Sequence, residues 1–212
     1  MGVLWFKSEK FLGHIQQKKL TKATSRGQVT QLFAATAETV TILAAATPSS
    51  PLSKLTLSLI IWSNGKPDNL RISNAAALGM ILIVSGAFIR LMTFRHLGQF
   101  FRFEASIQKD HQLIVSGPYA VVRHPGYTGM MLVFIGWFLL QMSRGSWVME
   151  SGLWDTMLGR MLVLGYFVLI FSTSYLLLDR MSKEDAALRG RFGTKWDDWA
   201  KNVPYSIFPG IY

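Results

Sequence analysis

The amino-acid sequence predicts an all-α integral membrane protein, built as a bundle of several transmembrane helices. Half of the 212 residues are hydrophobic and only 16% are charged, whereas about 25% of the residues in a typical soluble domain are charged. Apolar stretches with few charges recur along the chain, and several approach the roughly 20 residues that a helix needs to cross a bilayer. These two observations together predict the membrane class.

Three apolar stretches are the predicted spans: Ala75–Phe94, Thr128–Met142 and Met157–Leu178. The first and third are long enough to cross a hydrocarbon core of about 30 Å at about 1.5 Å per residue. Thr128–Met142 is shorter and needs adjoining loop residues to do so. We expect the second and third spans to form a helical hairpin whose turn lies around residues 143–156.

The N-terminal part of the chain is predicted to anchor the protein in the membrane. We expect a basic tail over residues 1–30 and membrane-anchoring spans over residues 31–94. Val29–Thr47 is a fourth candidate span, but Glu38 lies in its middle and would have to face the bundle interior or extend to the interface. Leu52–Trp62 is too short to span alone and predicts an interfacial helix or half of a hairpin.

The charge distribution favours a lipid bilayer as partner and argues against nucleic acid. The formal net charge is +10, but the basic residues stand between apolar runs, without the aromatic–basic patch typical of RNA-binding proteins. A basic membrane protein facing anionic cytoplasmic lipid fits this pattern better. The positive-inside tendency then makes one side cytoplasmic, with the basic residues at Arg90, Arg95, Arg102, Arg123 and after Asp179.

Cysteine and histidine usage limits the possible chemistry. The chain has no cysteine, which excludes disulfides, thiolate metal ligands and a cysteine nucleophile. It has four histidines, and none has the spacing of the HExxH motif. We therefore expect no metal site.

The C-terminal region is predicted to form an amphipathic surface helix. Ser182, with Asp185 three residues later, resembles a capping box and predicts that a helix begins there. Gly193 is expected to interrupt this helix, and Thr194 to begin a second short one. Apolar side chains recur at helical spacing across the region, at Leu188, Phe192, Trp196 and Trp199.

Polar residues are densest in two blocks, HQLIVSGPYAVVRHPGYTG at residues 111–129 and DRMSKED at residues 179–185. The residues alone leave two interpretations open. The first block is either a turn-rich loop whose Arg and His touch lipid phosphates or part of a binding site. The second is either a helix start with its usual acids or part of the same site.

The two blocks resemble the isoprenylcysteine carboxyl methyltransferase family. The first follows the pattern His-x-Leu-Val-x-x-Gly-Pro-Tyr-x-x-x-Arg-His-Pro-x-Tyr-x-Gly, with Ile114 at the Val position. The second matches Arg-x-x-x-Glu-[Glu/Asp]-x-x-Leu-x-x-x-Phe-Gly, followed by spaced aromatic residues. The resemblance covers residues 95–212, which it identifies as the methyltransferase core.

The resemblance implies a multi-pass enzyme of the endoplasmic reticulum membrane with its active site facing the cytosol. Such an enzyme uses S-adenosylmethionine to methylate the C-terminal carboxylate of an isoprenylated cysteine in CaaX-processed proteins. Its cofactor pocket would be formed by the 95–127 loop and the C-terminal amphipathic tail. Prenylated CaaX-type proteins are the implied substrates.

The resemblance also assigns residues. It implies substrate binding and a catalytic role for Arg180. Asp185 stands where the family often has a second Glu, and Glu104 stands where some relatives have a cofactor-contacting Gln, so Glu104 is assigned no role. The implied cofactor-binding residues are His111, Gln112, Leu113, Ile114, Tyr119, His124, Pro125, Gly126, Tyr127 and Glu184.

The chemistry of the implied substrate agrees with these residue types. An α-carboxyl has a pKa of about 3.5, so the nucleophile is already ionised at neutral pH and needs no general base. The alternative is a phospholipid N-methyltransferase, whose amine nucleophile must lose a proton, a task that His124 could perform. A catalytically idle membrane scaffold is a third possibility, which the two intact blocks disfavour.

Overall fold

The structure is a computed structural model that describes Val29, residues 32–98 and residues 112–211. Its described residues form helices, turns and loops, with no β-strand among them, which confirms the all-α prediction. Two short 3₁₀ turns lie at Pro67–Asn69 and Gly117–Ala120. The α-helices are α1 (Leu32–Ala46), α2 (Pro51–Ile60), α3 (Asn74–Leu97), α4 (Pro125–Met142), α5 (Trp147–Glu150), α6 (Met157–Phe192) and α7 (Thr194–Asn202).

Three stretches within the described residues are long and apolar enough to cross a membrane. They are Asn74–Leu97, Pro125–Glu150 and Met157–Phe192, with mean hydropathies of 2.0, 1.3 and 2.1. Each contains one of the predicted spans. The prediction of a multi-span helical membrane protein is therefore confirmed.

Helix α4 begins three residues before the predicted span. Pro125 occupies its first turn, where the missing N–H of proline costs nothing because the first amides of a helix have no intrahelical acceptor. The earlier start lengthens the short predicted span to 18 residues. The turn after α4 holds the single-turn helix α5, at the position predicted for the hairpin turn.

The prediction that a helix begins at Ser182 is wrong. Helix α6 continues through this serine and ends at Phe192, with a total of 36 residues. No glycine or proline interrupts the chain between Leu178 and Leu188, so the apolar span and the polar region share one helix. The break comes at Gly193, whose φ of +54° is left-handed, and α7 starts at Thr194 as predicted.

The chain divides into two compact units. The first comprises the chain up to Arg71 together with Arg144–Leu176. There Glu38 accepts a hydrogen bond from the backbone N–H of Trp147 at 2.9 Å, and the Trp147 indole donates to the carbonyl of Ile60 at 3.0 Å. Glu38 thus faces the interior of its unit, the first of the two placements expected for it.

The second unit comprises Ile72–Ser143 and Leu177–Tyr212. Its centre is an antiparallel pair, α3 and α4, which approach each other at two glycine pairs. Gly79 faces Gly136, where an added Cβ would lie 2.5 Å from the Gly136 carbonyl oxygen, and Gly86 faces the carbonyl of Gly129. Only glycine permits this backbone approach. The two glycine contacts therefore fix the position of α4 along α3.

Candidate functional site

Four segments of the second unit meet around the start of α4. They are the 3₁₀ turn, the first turn of α4, the part of α6 around Glu184, and the C-terminal segment of residues 203–207. Tyr127 in α4 hydrogen-bonds to Glu184, Arg123 just before α4 hydrogen-bonds to the C-terminal segment, and the 3₁₀ turn at Gly117–Ala120 hydrogen-bonds to Trp199 in α7. The two polar blocks of the sequence are therefore joined in space.

His124 is at the centre of this cluster. It occupies the N-cap position of α4, and only 6% of it is exposed. Its Nε2 lies 2.9 Å from Oδ1 of Asp185, and its Nδ1 lies 3.8 Å from Oε2 of Glu184. The imidazole is thus held between two carboxylates from adjacent positions on α6.

Glu184 connects the two polar blocks through one oxygen. The hydroxyl of Tyr127 donates to its Oε1 at 2.9 Å, and Nε of Arg180 donates to the same oxygen at 2.9 Å. Charge-assisted bonds of this length are about twice as strong as neutral ones. The predicted substrate residue Arg180 and the predicted cofactor residues Tyr127 and Glu184 therefore form one connected group.

Tyr119 lies in the 3₁₀ turn, beside α7 and near Glu184. Its carbonyl oxygen accepts a hydrogen bond from the Trp199 indole at 3.2 Å. Burial, together with the negative charge of Glu184, raises the pKa of the Tyr119 phenol above its ordinary value. The phenol therefore stays protonated and can donate a hydrogen bond.

Helix α3 supports the loop that carries these residues. Gly117 has a φ of +63°, and a Cβ at this position would collide with the ring of His96. Arg90 donates from Nη1 to the carbonyl of Gly126 at 3.2 Å, and its guanidinium lies 5.1 Å from the centre of the Phe94 ring. The loop is thus fixed to α3 on both sides of the Arg-His-Pro sequence.

Arg123 binds the C-terminal segment to the start of α4. Its Nη1 donates to the carbonyls of Val203 and Pro204 at 3.1 and 2.7 Å, and its Nη2 donates to the hydroxyl of Ser206. Its backbone N–H donates to the Tyr205 carbonyl at 2.9 Å. The C-terminal segment is therefore fixed to the start of α4.

The structure brings together most, but not all, of the residues assigned by resemblance. His124, Pro125, Gly126 and Tyr127 form the start of α4, and Tyr119, Arg180 and Glu184 lie around it. Gln112, Leu113 and Ile114 occupy an irregular segment that leads into the 3₁₀ turn, and the hydrogen bonds given above do not include them. His111 and Glu104 lie outside the described residues.

Sequence reasoning missed two members of the cluster. Asp185, noted as the acid of a capping box and as a departure from the family pattern, is the direct partner of His124. Arg123 was noted as a basic residue and a motif position, yet it binds residues about 80 positions later in the chain. Their presence inside the two motif blocks was the available signal.

The cluster offers hydrogen-bond acceptors to a cationic group of a ligand. It also offers a cationic side chain to an anionic group of a ligand. His124 and the two α6 carboxylates supply acceptors, while Arg180 supplies a planar cationic donor with several N–H groups. Among the described residues, no group of three or more His, Asp and Glu side chains is placed to hold a metal ion. Next to Asp185, a groove of about 460 Å³ runs along the α6–α7 junction.

Residues 74–158 match the family model described as phospholipid methyltransferase. The match includes helices α3, α4 and α5. It is 29% identical over 134 residues to the protein-S-isoprenylcysteine O-methyltransferase of Schizosaccharomyces pombe, covering 62% of this chain and 48% of the relative. It is 28% identical over 156 residues to the enzyme of the same name from Rattus norvegicus, covering 73% of this chain and 47% of the relative.

Sterol reductases also match the chain. It is 31% identical over 101 residues to the Delta(14)-sterol reductase of Mus musculus, which covers 48% of this chain and 20% of that protein. The chain thus spans about half the length of the methyltransferases and a fifth of the reductase. No solved structure matches the chain significantly.

Proposed function

We propose that the protein is an S-adenosylmethionine-dependent methyltransferase that esterifies the C-terminal carboxylate of isoprenylated cysteine. The observation that carries this proposal is the connection of Arg180, Glu184 and Tyr127 through a single carboxylate oxygen. It joins the proposed substrate residue to the proposed cofactor residues at one place. The names of the relatives that cover most of this chain support the same activity.

The residues around His124 suit the cofactor chemically. S-adenosylmethionine carries an ammonium group and ribose hydroxyls, which require acceptors, and Glu184 with Nδ1 of His124 supplies them within 3.8 Å of each other. The protonated Tyr119 phenol adds a donor for the cofactor's carboxylate. The sulfonium supplies the methyl group, while the protein contributes position and orientation.

Arg180 is proposed to orient the substrate carboxylate. The substrate is already ionised at neutral pH, so the site needs a cation to place the oxygen and no base to activate it. The ion pair with Glu184 uses Nε of Arg180, and the guanidinium has further N–H donors on its terminal nitrogens. One arginine can therefore face both a substrate carboxylate and the residue that contacts the cofactor.

The membrane location suits a lipid-modified substrate. Each CH₂ of a prenyl chain moved from hydrocarbon into water costs about 0.8 kcal/mol. A site at the end of membrane-spanning helices lets the chain stay in the bilayer while its cysteine carboxylate reaches Arg180. We propose accordingly that prenylated CaaX-type proteins are the substrates, at the cytosolic face of the endoplasmic reticulum membrane.

The experiment that tests the proposal is a parallel transfer assay. The purified full chain in detergent is given S-adenosylmethionine with a labelled methyl group, and either N-acetyl-farnesylcysteine or phosphatidylethanolamine. We expect a base-labile methyl ester on farnesylcysteine and no methylation of the phospholipid. Methylamine formation instead would establish the phospholipid N-methyltransferase alternative.

The match to sterol reductases defines a second candidate function. A third reaction with a Δ14-unsaturated sterol and a reduced nicotinamide cofactor tests it in the same preparation. Sterol reduction without methyl transfer would overturn the methyltransferase proposal. Neither activity would favour a binding protein that has the fold without the chemistry.

A further inference from the structure

Asp185 contacts both residues that open the Arg-His-Pro sequence. Its Oδ1 lies 2.9 Å from Nε2 of His124, and its Oδ2 lies 3.4 Å from Nε of Arg123. The carboxylate is four-fifths buried, with a side-chain exposure of 20%. Each of its oxygens therefore faces one nitrogen of the loop that precedes α4.

The backbone of His124 is already fixed by other bonds. Its N–H donates to the Ser206 carbonyl at 2.9 Å, and its carbonyl accepts from the amides of Tyr127 and Thr128 at 3.0 and 3.1 Å. What these bonds leave undetermined is the rotation of the imidazole and the nitrogen that carries its proton. Asp185 acts on both of these.

An ionised carboxylate only accepts hydrogen bonds, so the 2.9 Å contact requires the proton on Nε2 of His124. In a neutral imidazole, Nδ1 then keeps its lone pair and is an acceptor. This nitrogen faces Oε2 of Glu184 at 3.8 Å. Two acceptors at that separation can both reach one donor group placed about 2.9 Å from each.

We infer that Asp185 is the positioning residue of the site: it fixes the tautomer and the ring orientation of His124, so that Nδ1 and Glu184 form one acceptor pair. This inference deepens and rests on the proposed function, in which the pair receives the cofactor's ammonium group. In this arrangement both oxygens of Asp185 face the loop before α4. Its effect passes through His124.

Arg123 completes the arrangement from the other side. It is held by the Val203 and Pro204 carbonyls and the Ser206 hydroxyl, and its Nε faces the carboxylate that orients His124. The C-terminal segment therefore restrains Asp185 through Arg123. Through these contacts Asp185 acts on the side of His124 that is opposite to Glu184.

The test combines nuclear magnetic resonance with binding measurements on the full chain in detergent. With four histidines in the sequence, ¹⁵N-histidine labelling gives few signals, and a His124→Gln chain assigns those of His124. Asp185→Leu removes the acceptor at similar size, and Asp185→Glu restores it. Asp179→Leu is the matched control, because it removes the α6 carboxylate that pairs with Lys183 on the exposed side.

We expect the neutral imidazole of wild-type His124 to carry its proton on Nε2, and we expect this preference to disappear in Asp185→Leu. S-adenosylmethionine affinity should fall about tenfold or more, as when the orienting partner of a metal-bound histidine is removed. Asp185→Glu should restore both readings. Asp179→Leu should change neither.

Three results would overturn the inference in distinguishable ways. Unchanged His124 signals in a folded Asp185→Leu chain would show that the carboxylate does not set the tautomer. A wild-type imidazole protonated on both nitrogens would remove the proposed acceptor. Failure of the wild-type chain to bind S-adenosylmethionine would overturn the proposed function, and with it the role of Asp185 at the cofactor.

Discussion

Arg180 and Glu184 lie one helical turn apart on α6, and their ion pair is the contact through which substrate and cofactor would communicate. A surface pair at this spacing contributes only about 0.3–0.5 kcal/mol to stability. Both side chains here are more than three-quarters buried, at 22% and 24% exposure, and Tyr127 donates to the same carboxylate oxygen. Such a group is better suited to holding ligands than to stabilising a helix.

Replacing Arg180 with alanine should impair use of the substrate without impairing cofactor binding. Loss of a hydrogen bond to a charged group costs about 1.5–3 kcal/mol, so kcat/KM for N-acetyl-farnesylcysteine should fall about 10- to 100-fold. The control is Lys183→Ala, which breaks an exposed ion pair on the same helix. Lost cofactor binding with normal kinetics for the prenylcysteine would contradict the assignment.

Replacing Glu184 with alanine should have the opposite effect. Cofactor affinity, measured by calorimetry, should fall about tenfold or more, because the acceptor next to Nδ1 of His124 is removed. Glu184→Gln keeps the size of the side chain and loses its charge. The cofactor affinity of this variant should therefore lie between those of the wild-type chain and Glu184→Ala. If Glu184→Ala lowers only the thermal stability, this carboxylate has a structural role alone.

At the scale of secondary structure, the contact between α3 and α4 depends on the absence of side chains. Gly86→Leu would force a side chain against the Gly129 backbone, and overpacking of this kind costs about 1–3 kcal/mol. We expect a lower thermal midpoint in the same detergent. Gly165→Leu on α6 is the matched control, because nothing lies within 4 Å of an added Cβ there. An equal decrease of the thermal midpoint in both variants would contradict the packing argument.

The elements show what the sequence could and could not predict. Helix α3 and the first part of α6 follow from hydropathy, because only a helix satisfies every backbone group in lipid. The continuation of α6 was missed since Ser182 and the acids after it have the composition of a helix start. Such residues also occur in the middle of a helix. In this structure Asp185 contacts His124 and does not cap a helix N-terminus.

At the scale of the whole molecule, the site is assembled by contacts between residues far apart in the chain. His124 meets Asp185 61 residues later, and Arg123 meets Ser206 83 residues later. The two polar blocks, which the resemblance assigns to one site and the predicted topology places on one side of the membrane, are in contact. The attachment of the C-terminal segment has no local signal, because its acceptors are mostly backbone carbonyls, which every sequence supplies.

Arg123→Met should release the C-terminal segment while leaving the helices in place. The variant loses the donors to Val203, Pro204 and Ser206, so the amides at positions 123 and 124, which donate to the same segment, should exchange about tenfold faster or more. Hydrogen–deuterium exchange measures this. Arg189→Met, which removes an exposed ion pair with Asp197, should leave those amides protected, and equal protection in both variants would contradict the claim.

The length of α6 ties the chemistry to the thickness of the membrane. Its 36 residues amount to about 54 Å of helix at 1.5 Å per residue, against a hydrocarbon core of about 30 Å. Arg180 follows the apolar run by two positions. In a bilayer thicker by a few ångströms its guanidinium would lie closer to the acyl chains, and in a thinner bilayer it would lie among the headgroups. We therefore expect turnover of the proposed reaction in reconstituted vesicles to depend on acyl-chain length, without any regulatory ligand.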